Sequence, residues 1–233
     1  MPDLTLPGGI PAHLATPAVG AGPWPGVVVL HEAFGLNDDI REHAGRLAAA
    51  GYLAVAPDLY RGRGMRRCLV ATFKALQAEQ GRQFDDIDAV RRELADRDDC
   101  TGKVGVIGFC MGGKFALLMA AKGFDASAPN YGPLPKNLDA ALAGACPVVA
   151  SYGGRDYGLK GAAAKVEAAL ERNGVEHDVK EYPDAGHSFF SRLNTGPLNP
   201  VMRVAGLGFH QPSAEDAWGR ILRFFDAHLK ARP

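Results

Sequence analysis

Gly108-Phe109-Cys110-Met111-Gly112 places a thiol between two glycines in the pattern G-x-C-x-G. Hydrolases that carry G-x-S-x-G use the same spacing with a hydroxyl nucleophile. The spacing has a steric reason. A nucleophile at the apex of a sharp strand-to-helix turn brings the residues two before and two after it into near contact, and glycine has no clashing Cβ. A helix starting at Met111 would aim its positive end at the sulfur and favour a thiolate. The Met111 N–H would then be placed to hold a developing oxyanion. The plainer reading of Cys110 is a small buried hydrophobe in a glycine-rich turn.

A thiol nucleophile needs a base, and the base needs an orienting acid. In chain order these should follow as nucleophile, acid, histidine. Of seven histidines, His187 lies in a loop just after a strand, in Ala185-Gly186-His187-Ser188-Phe189. The carboxyl ends of strands are where open α/β sheets place ligand chemistry. Asp156 follows another strand in Gly153-Gly154-Arg155-Asp156 and is the acid of choice. Asp184 is its rival, but three residues before His187 it is expected to shape the turn. The other histidines read as packed or solvated, or as part of the N-terminal arm for His13. The loop His31-Glu32-Ala33-Phe34-Gly35 follows the first strong strand. Gly35 stands where H-E-x-x-H needs its second histidine, which excludes that zinc-protease motif. In a hydrolase this loop supplies the second oxyanion donor, here the Ala33 N–H. Glu32 would lie near the thiol, where a carboxylate could take its proton or suppress its ionisation. Otherwise Glu32 is a solvated loop acid.

These groups need elements to carry them. Apolar runs at 27–30, 53–56, 104–107, 126–131, 147–152 and 177–182 read as strands. Helical spacing occupies 39–50, 84–97, 111–121, 160–173 and 213–230. Residues 61–82 are basic and only weakly periodic. Residues 1–26 are rich in Pro and Gly and suit an edge hairpin or a loose arm. The alternation predicts a mostly parallel sheet covered by helices on both faces, an α/β fold in one domain spanning 1–233. The short link between strands 126–131 and 147–152 leaves no room for a large cap. The long Gly/Pro-rich segment 190–212 is a candidate lid.

Gly108 to Lys114 also fits most of a phosphate-binding G-x-x-x-x-G-K loop. The residue that should be Ser or Thr to hold Mg²⁺ is Phe115, which disfavours nucleotide binding.

Twenty-six basic and 26 acidic residues leave no net charge, so no global pull toward nucleic acid or anionic membrane is expected. Four scattered cysteines, with no CxxC pair, read as free thiols in a reducing compartment. Met1-Pro2-Asp3-Leu4 lacks a basic stretch followed by an apolar one, and no run approaches the ~20 apolar residues of a membrane span. A cytoplasmic protein, monomeric or a small homo-oligomer, is expected.

Taken together, HEAFG at 31–35, Pro57-Asp58-Leu59-Tyr60, GFCMGG at 108–113, Gly153–Asp156 and AGHSF at 185–189 resemble the dienelactone hydrolase (carboxymethylenebutenolidase) family of α/β-hydrolases. The resemblance runs from about Val27 to Phe189. It implies a Cys110–His187–Asp156 triad, a Glu32 that controls thiol ionisation, and hydrolysis of a small ester or lactone through an acyl-enzyme. It implies no metal or organic cofactor. The family binds its substrate's carboxylate with two arginines. One follows the Asp-Leu-Tyr block, where Gly62 here is flanked by Arg61 and Arg63. The other lies four residues after the histidine, where this chain has Ser191 and then Arg192. Arginines facing the thiol would mean a carboxylate-bearing lactone. Arginines facing away would mean a neutral ester or thioester. A non-enzymatic binding module of the same fold is disfavoured by the joint presence of nucleophile, base, acid and Glu32.

Overall fold

The computed structural model describes residues 4–192 and 208–230. Eight strands form one sheet in the order β1-β2-β4-β3-β5-β6-β7-β8. They are β1 (Leu4–Leu6), β2 (Ile10–Ala15), β3 (Trp24–Leu30), β4 (Leu53–Pro57), β5 (Cys100–Phe109), β6 (Ala126–Asn130), β7 (Val148–Gly153) and β8 (His177–Tyr182). The strands from β4 across to β8 pair in parallel. The Pro/Gly-rich start of the chain is an edge hairpin, β1 on β2, that joins β4 antiparallel with Ala12 opposite Pro57.

Side chains alternate across a strand, so each central strand feeds two cores. On β3, Val27 and Val29 enter one core, with α1 (Asp38–Ala49) and the C-terminal α7 (Gln211–Leu229). Val28 and Leu30 enter the other, with α2 (Met65–Ala78), α3 (Arg82–Ala95) and α4 (Met111–Met119). Further along, α4 and α6 (Ala162–Arg172) share a third cluster around Val148, Ala150 and Val166. This is the α/β-hydrolase fold, a mostly parallel sheet with helices on both faces.

Helix α1 shows how local sequence sets an element. Asn37 caps it by accepting the Ile40 N–H over 3.1 Å, Asp38 and Asp39 complement the positive end, and Ile40, Ala44 and Leu47 form the buried stripe. Some elements depart from the sequence reading. Residues 65–78 are a full helix although the segment is weakly periodic. Strand β5 begins four residues before the apolar run at 104. The short helix α5 (Leu138–Leu142) and a 3₁₀ turn at Tyr157–Leu159 give no periodic signal. Between β6 and β7, α5 is the only helix among the described residues, and no large cap covers the sheet. Most of the candidate lid lies at 193–207, outside the described residues. At its flanks, Gly208 N–H donates to the His187 carbonyl (3.0 Å) and His210 N–H to the Phe189 carbonyl (3.1 Å). Among the described residues no helix is long and apolar enough to cross a membrane.

Candidate active site

Parallel strands bring their carboxyl ends to one rim. Glu32 follows β3, Tyr60 follows β4, Cys110 follows β5, Tyr131 follows β6, Asp156 follows β7 and His187 follows β8.

Cys110 has φ 52° and ψ −113°, a strained conformation for a residue with a Cβ. Its N–H donates to the Asn130 carbonyl over 3.0 Å, which ties the turn to β6. The flanking glycines are obligatory. A Cβ on Gly108 would lie 2.0 Å from the Gly112 carbonyl oxygen, and one on Gly112 would lie 2.2 Å from the Leu30 carbonyl oxygen. Helix α4 starts at Met111, so the Met111 N–H belongs to the helix's unpaired first turn. The glycines therefore serve a strand-to-helix elbow. Lys114 is buried within α4 with its ammonium 3.7 Å from Glu79.

His187 bridges the other two groups. Its Nε2 lies 3.1 Å from Cys110 Sγ and its Nδ1 lies 2.6 Å from Asp156 Oδ2. An ionised carboxylate only accepts, so Nδ1 carries a proton and Nε2 faces the sulfur. Burial alone would lower the His187 pKa. The ring's hydrogen bonds with Asp156 and Cys110 and its Coulomb attraction to them outweigh it and raise the pKa to about 10. Asp184 is mostly exposed and pairs instead with Arg155 over 3.0 Å.

Glu32 is not solvated. It is 2% exposed, and Tyr131 Oη donates to its Oε1 over 3.1 Å. Burial raises its carboxyl pKa, against hydrogen bonds from Ser191, Tyr131 and Ser188 and the charge of His187. Tyr131, Ser188 and Ser191 escaped the sequence reading. Tyr131 sits on the first residue after β6, a position that could have marked it. A serine four residues after the histidine carries no signal of its own.

The likeness of this chain and its fold to known proteins is extensive. The family model "Dienelactone hydrolase family" matches residues 10–229. This chain belongs to the dienelactone hydrolase family. A carboxymethylenebutenolidase from Rhodococcus opacus is 31% identical over 87% of this chain and 81% of that protein. A Yersinia pestis protein described as a candidate carboxymethylenebutenolidase is 31% identical over 94% of this chain and 84% of its own. Among solved structures, a Klebsiella pneumoniae chain described as a candidate dienelactone hydrolase superposes with TM-score 0.76 at 29% identity, covering 94% of this chain and 93% of that one. This dienelactone hydrolase-family chain is a hydrolase acting on ester bonds.

Of the arginines that the resemblance singles out, Arg61 and Arg192 have partners within the chain. Arg61 closes on the buried Asp86 through two nitrogens, Nε at 3.1 Å and Nη2 at 2.6 Å, and donates to the Gly8 carbonyl at 2.8 Å. Arg63 is exposed. Arg192 reaches Glu42 of α1 at 3.3 Å and lies over the Phe209 ring, with both ion-pair partners 60% exposed. Of the three arginines expected to hold a substrate carboxylate, Arg61 is thus paired with Asp86, Arg63 is exposed and Arg192 is paired with Glu42. Ser191 is buried instead, against Glu32 and Tyr131. The four cysteines carry no disulfide. Among the described residues no cluster of three or more His, Cys, Asp or Glu could hold a metal.

Proposed function

We propose that this hydrolase cleaves small neutral carboxylic esters or lactones through an acyl-enzyme on Cys110. The observation that carries the reading is the single line from Asp156 Oδ2 through His187 to Cys110 Sγ, at 2.6 and 3.1 Å. With its pKa raised to about 10, His187 holds the thiol proton on Nε2, and the sulfur attacks the substrate carbonyl. The N–H groups of Ala33 and Met111 hold the oxyanion, each worth about 3–4 kcal/mol by analogy with removal of such donors elsewhere. The intermediate collapses by breaking the C–O bond, and the imidazolium gives its proton to the departing oxygen. In a lactone that oxygen stays on the acyl chain. Water, deprotonated by His187, then attacks the thioester, and the carboxylic acid leaves with the thiol restored.

Asp156 keeps the proton on Nδ1 and stabilises the imidazolium. Glu32, displaced toward its neutral form by burial, leaves the charge field at the sulfur to His187. What supports a neutral substrate is the pairing of Arg61 with the buried Asp86 and of Arg192 with Glu42.

The test is turnover of p-nitrophenyl acetate beside a carboxylate-bearing dienelactone, with wild type and Cys110→Ala. The expected result is a higher kcat/KM for the neutral ester and loss of both activities in the variant. Preference for the charged lactone would overturn the neutral substrate. Full activity in Cys110→Ala would overturn the triad.

A further inference from the structure

The Leu59 N–H points at His31 Nε2 over 3.1 Å. An amide nitrogen can only donate, so Nε2 is the unprotonated ring nitrogen. The ring proton therefore sits on Nδ1, which lies 2.6 Å from the Glu32 carbonyl oxygen and donates to it. The Gly35 N–H donates to the same oxygen over 3.2 Å. That carbonyl and the Ala33 N–H belong to one trans peptide and point in opposite directions. Fixing the oxygen fixes the direction of the hydrogen. A carbonyl that accepts hydrogen bonds also polarises its own N–H, by about 10–30% per bond. The next peptide is anchored too, because Tyr60 Oη donates to the Ala33 carbonyl over 2.7 Å. Leu59, which holds the His31 ring, and Tyr60 both lie in the loop after β4, so one strand end braces the loop of its neighbour.

We propose that His31 is a positioning residue that aims and polarises the Ala33 N–H toward the substrate oxyanion. This rests on the function proposed above. His31 is fully buried, a costly place for an imidazole unless both nitrogens are partnered, and here both are. Asp58 Oδ1 lies 3.8 Å from Nε2, beyond hydrogen-bond reach. Burial lowers the His31 pKa against the Glu32 backbone bond and the Asp58 charge. A ring protonated on both nitrogens would set its Nε2–H against the Leu59 N–H, so the network requires the neutral form.

The test compares His31→Asn with His31→Gln. The asparagine amide reaches the place of Nδ1–H, whereas the glutamine amide reaches the place of Nε2. Three readouts are taken on the full chain: kcat and KM for p-nitrophenyl acetate, the rate of Cys110 alkylation by iodoacetamide, and the ¹⁵N shifts of the His31 ring in wild type. Alkylation displaces iodide at a saturated carbon and develops no carbonyl oxyanion. The expected result is a kcat lowered about 10- to 100-fold in His31→Gln, with KM and alkylation within about twofold. His31→Asn should recover most of the lost kcat. Equal kcat in both variants, or kcat and alkylation falling by one factor, would overturn the proposal. So would a wild-type ring protonated on Nε2, which decides the matter even where a variant fails to fold. Cys110→Ala in the same assay separates the two readings. If it keeps turnover the proposed function fails. If it is inactive while His31→Gln keeps its kcat, only the role of His31 fails.

Discussion

Tyr131 donates its hydroxyl to Glu32 across 99 positions of sequence, with both side chains buried and within the influence of His187. The Glu32 pKa is raised by burial more than its hydrogen bonds and the charge of His187 lower it. A raised carboxyl favours the protonated form in the folded state. Its contribution to stability is complete below the unfolded carboxyl value near ~4.3 and is lost as pH rises through the folded value. Glu32→Gln mimics the neutral carboxyl at every pH. The variant should match wild type at acid pH and become the more stable of the two as pH rises. Urea midpoints across pH 4–9 measure this, and a difference that stays constant would sink it.

Asp156→Asn should lower kcat about 10⁴-fold, the size seen when an acid that orients a base is replaced by its amide, with a small change in KM. The cause is geometric and electrostatic together, since the amide can donate to Nδ1 and favour the wrong tautomer. His187 should also lose its elevated pKa of about 10, which NMR titration of the ring reads directly. The sign for stability follows. A raised histidine stabilises the fold fully below the ordinary value of 6.5 and loses that contribution as pH rises through about 10. The advantage of wild type over the variant should therefore shrink through that window. An unchanged His187 titration in Asp156→Asn would contradict the assignment.

Arg61→Ala and Arg192→Ala should leave kcat/KM for p-nitrophenyl acetate within about twofold, because on the proposed reading the substrate carries no carboxylate for either guanidinium. They should differ in stability. Arg61 gives two hydrogen bonds to a buried Asp86 that also holds Arg82, so its loss should cost about 1–2 kcal/mol. The Arg192–Glu42 pair is 60% exposed on both sides, and its loss should be within about 0.5 kcal/mol. A tenfold fall in kcat/KM in either variant would return that arginine to the substrate site.

How far the site could be read from sequence depended on where its signals lay. Cys110 and His187 stand in short glycine-bearing turns after apolar strands, so local steric rules single them out as candidates. Glu32 was visible by its neighbour His31 and by the loop after β3, but its burial was not, because Tyr131 and Ser191 cover it from distant turns. Arg61 shows the same limit. Its position beside the Asp-Leu-Tyr block suited substrate binding, and only the packing of α3 brings Asp86 to it. In the fold, the missing signal was periodicity. Helix α2 buries Cys68, Thr72 and Leu76, a narrow stripe in which only Leu76 is a strong apolar marker. Strand β8 is recognisable although mostly partly exposed, since it closes the edge of the sheet.

The elbow separates glycines that geometry requires from those it tolerates. In Gly108→Ala the new Cβ meets the Gly112 carbonyl oxygen at 2.0 Å, and in Gly113→Ala it meets the Asn130 carbonyl oxygen at 2.4 Å. Both obstacles are backbone, so neither yields as a flexible side chain would, and the turn that carries Cys110 must move. Each substitution should cost about 3 kcal/mol or more and abolish turnover. Gly45 is the contrast. It is exposed in α1, and a methyl group added there would meet nothing within 4 Å. Gly45→Ala should stabilise the protein by about 0.5–1 kcal/mol, because alanine restricts the unfolded chain and favours the helix. Thermal midpoints and p-nitrophenyl acetate turnover of the three variants provide the check. Wild-type activity in Gly108→Ala would mean that the close approach of residues 108 and 112 is not needed to present the thiol.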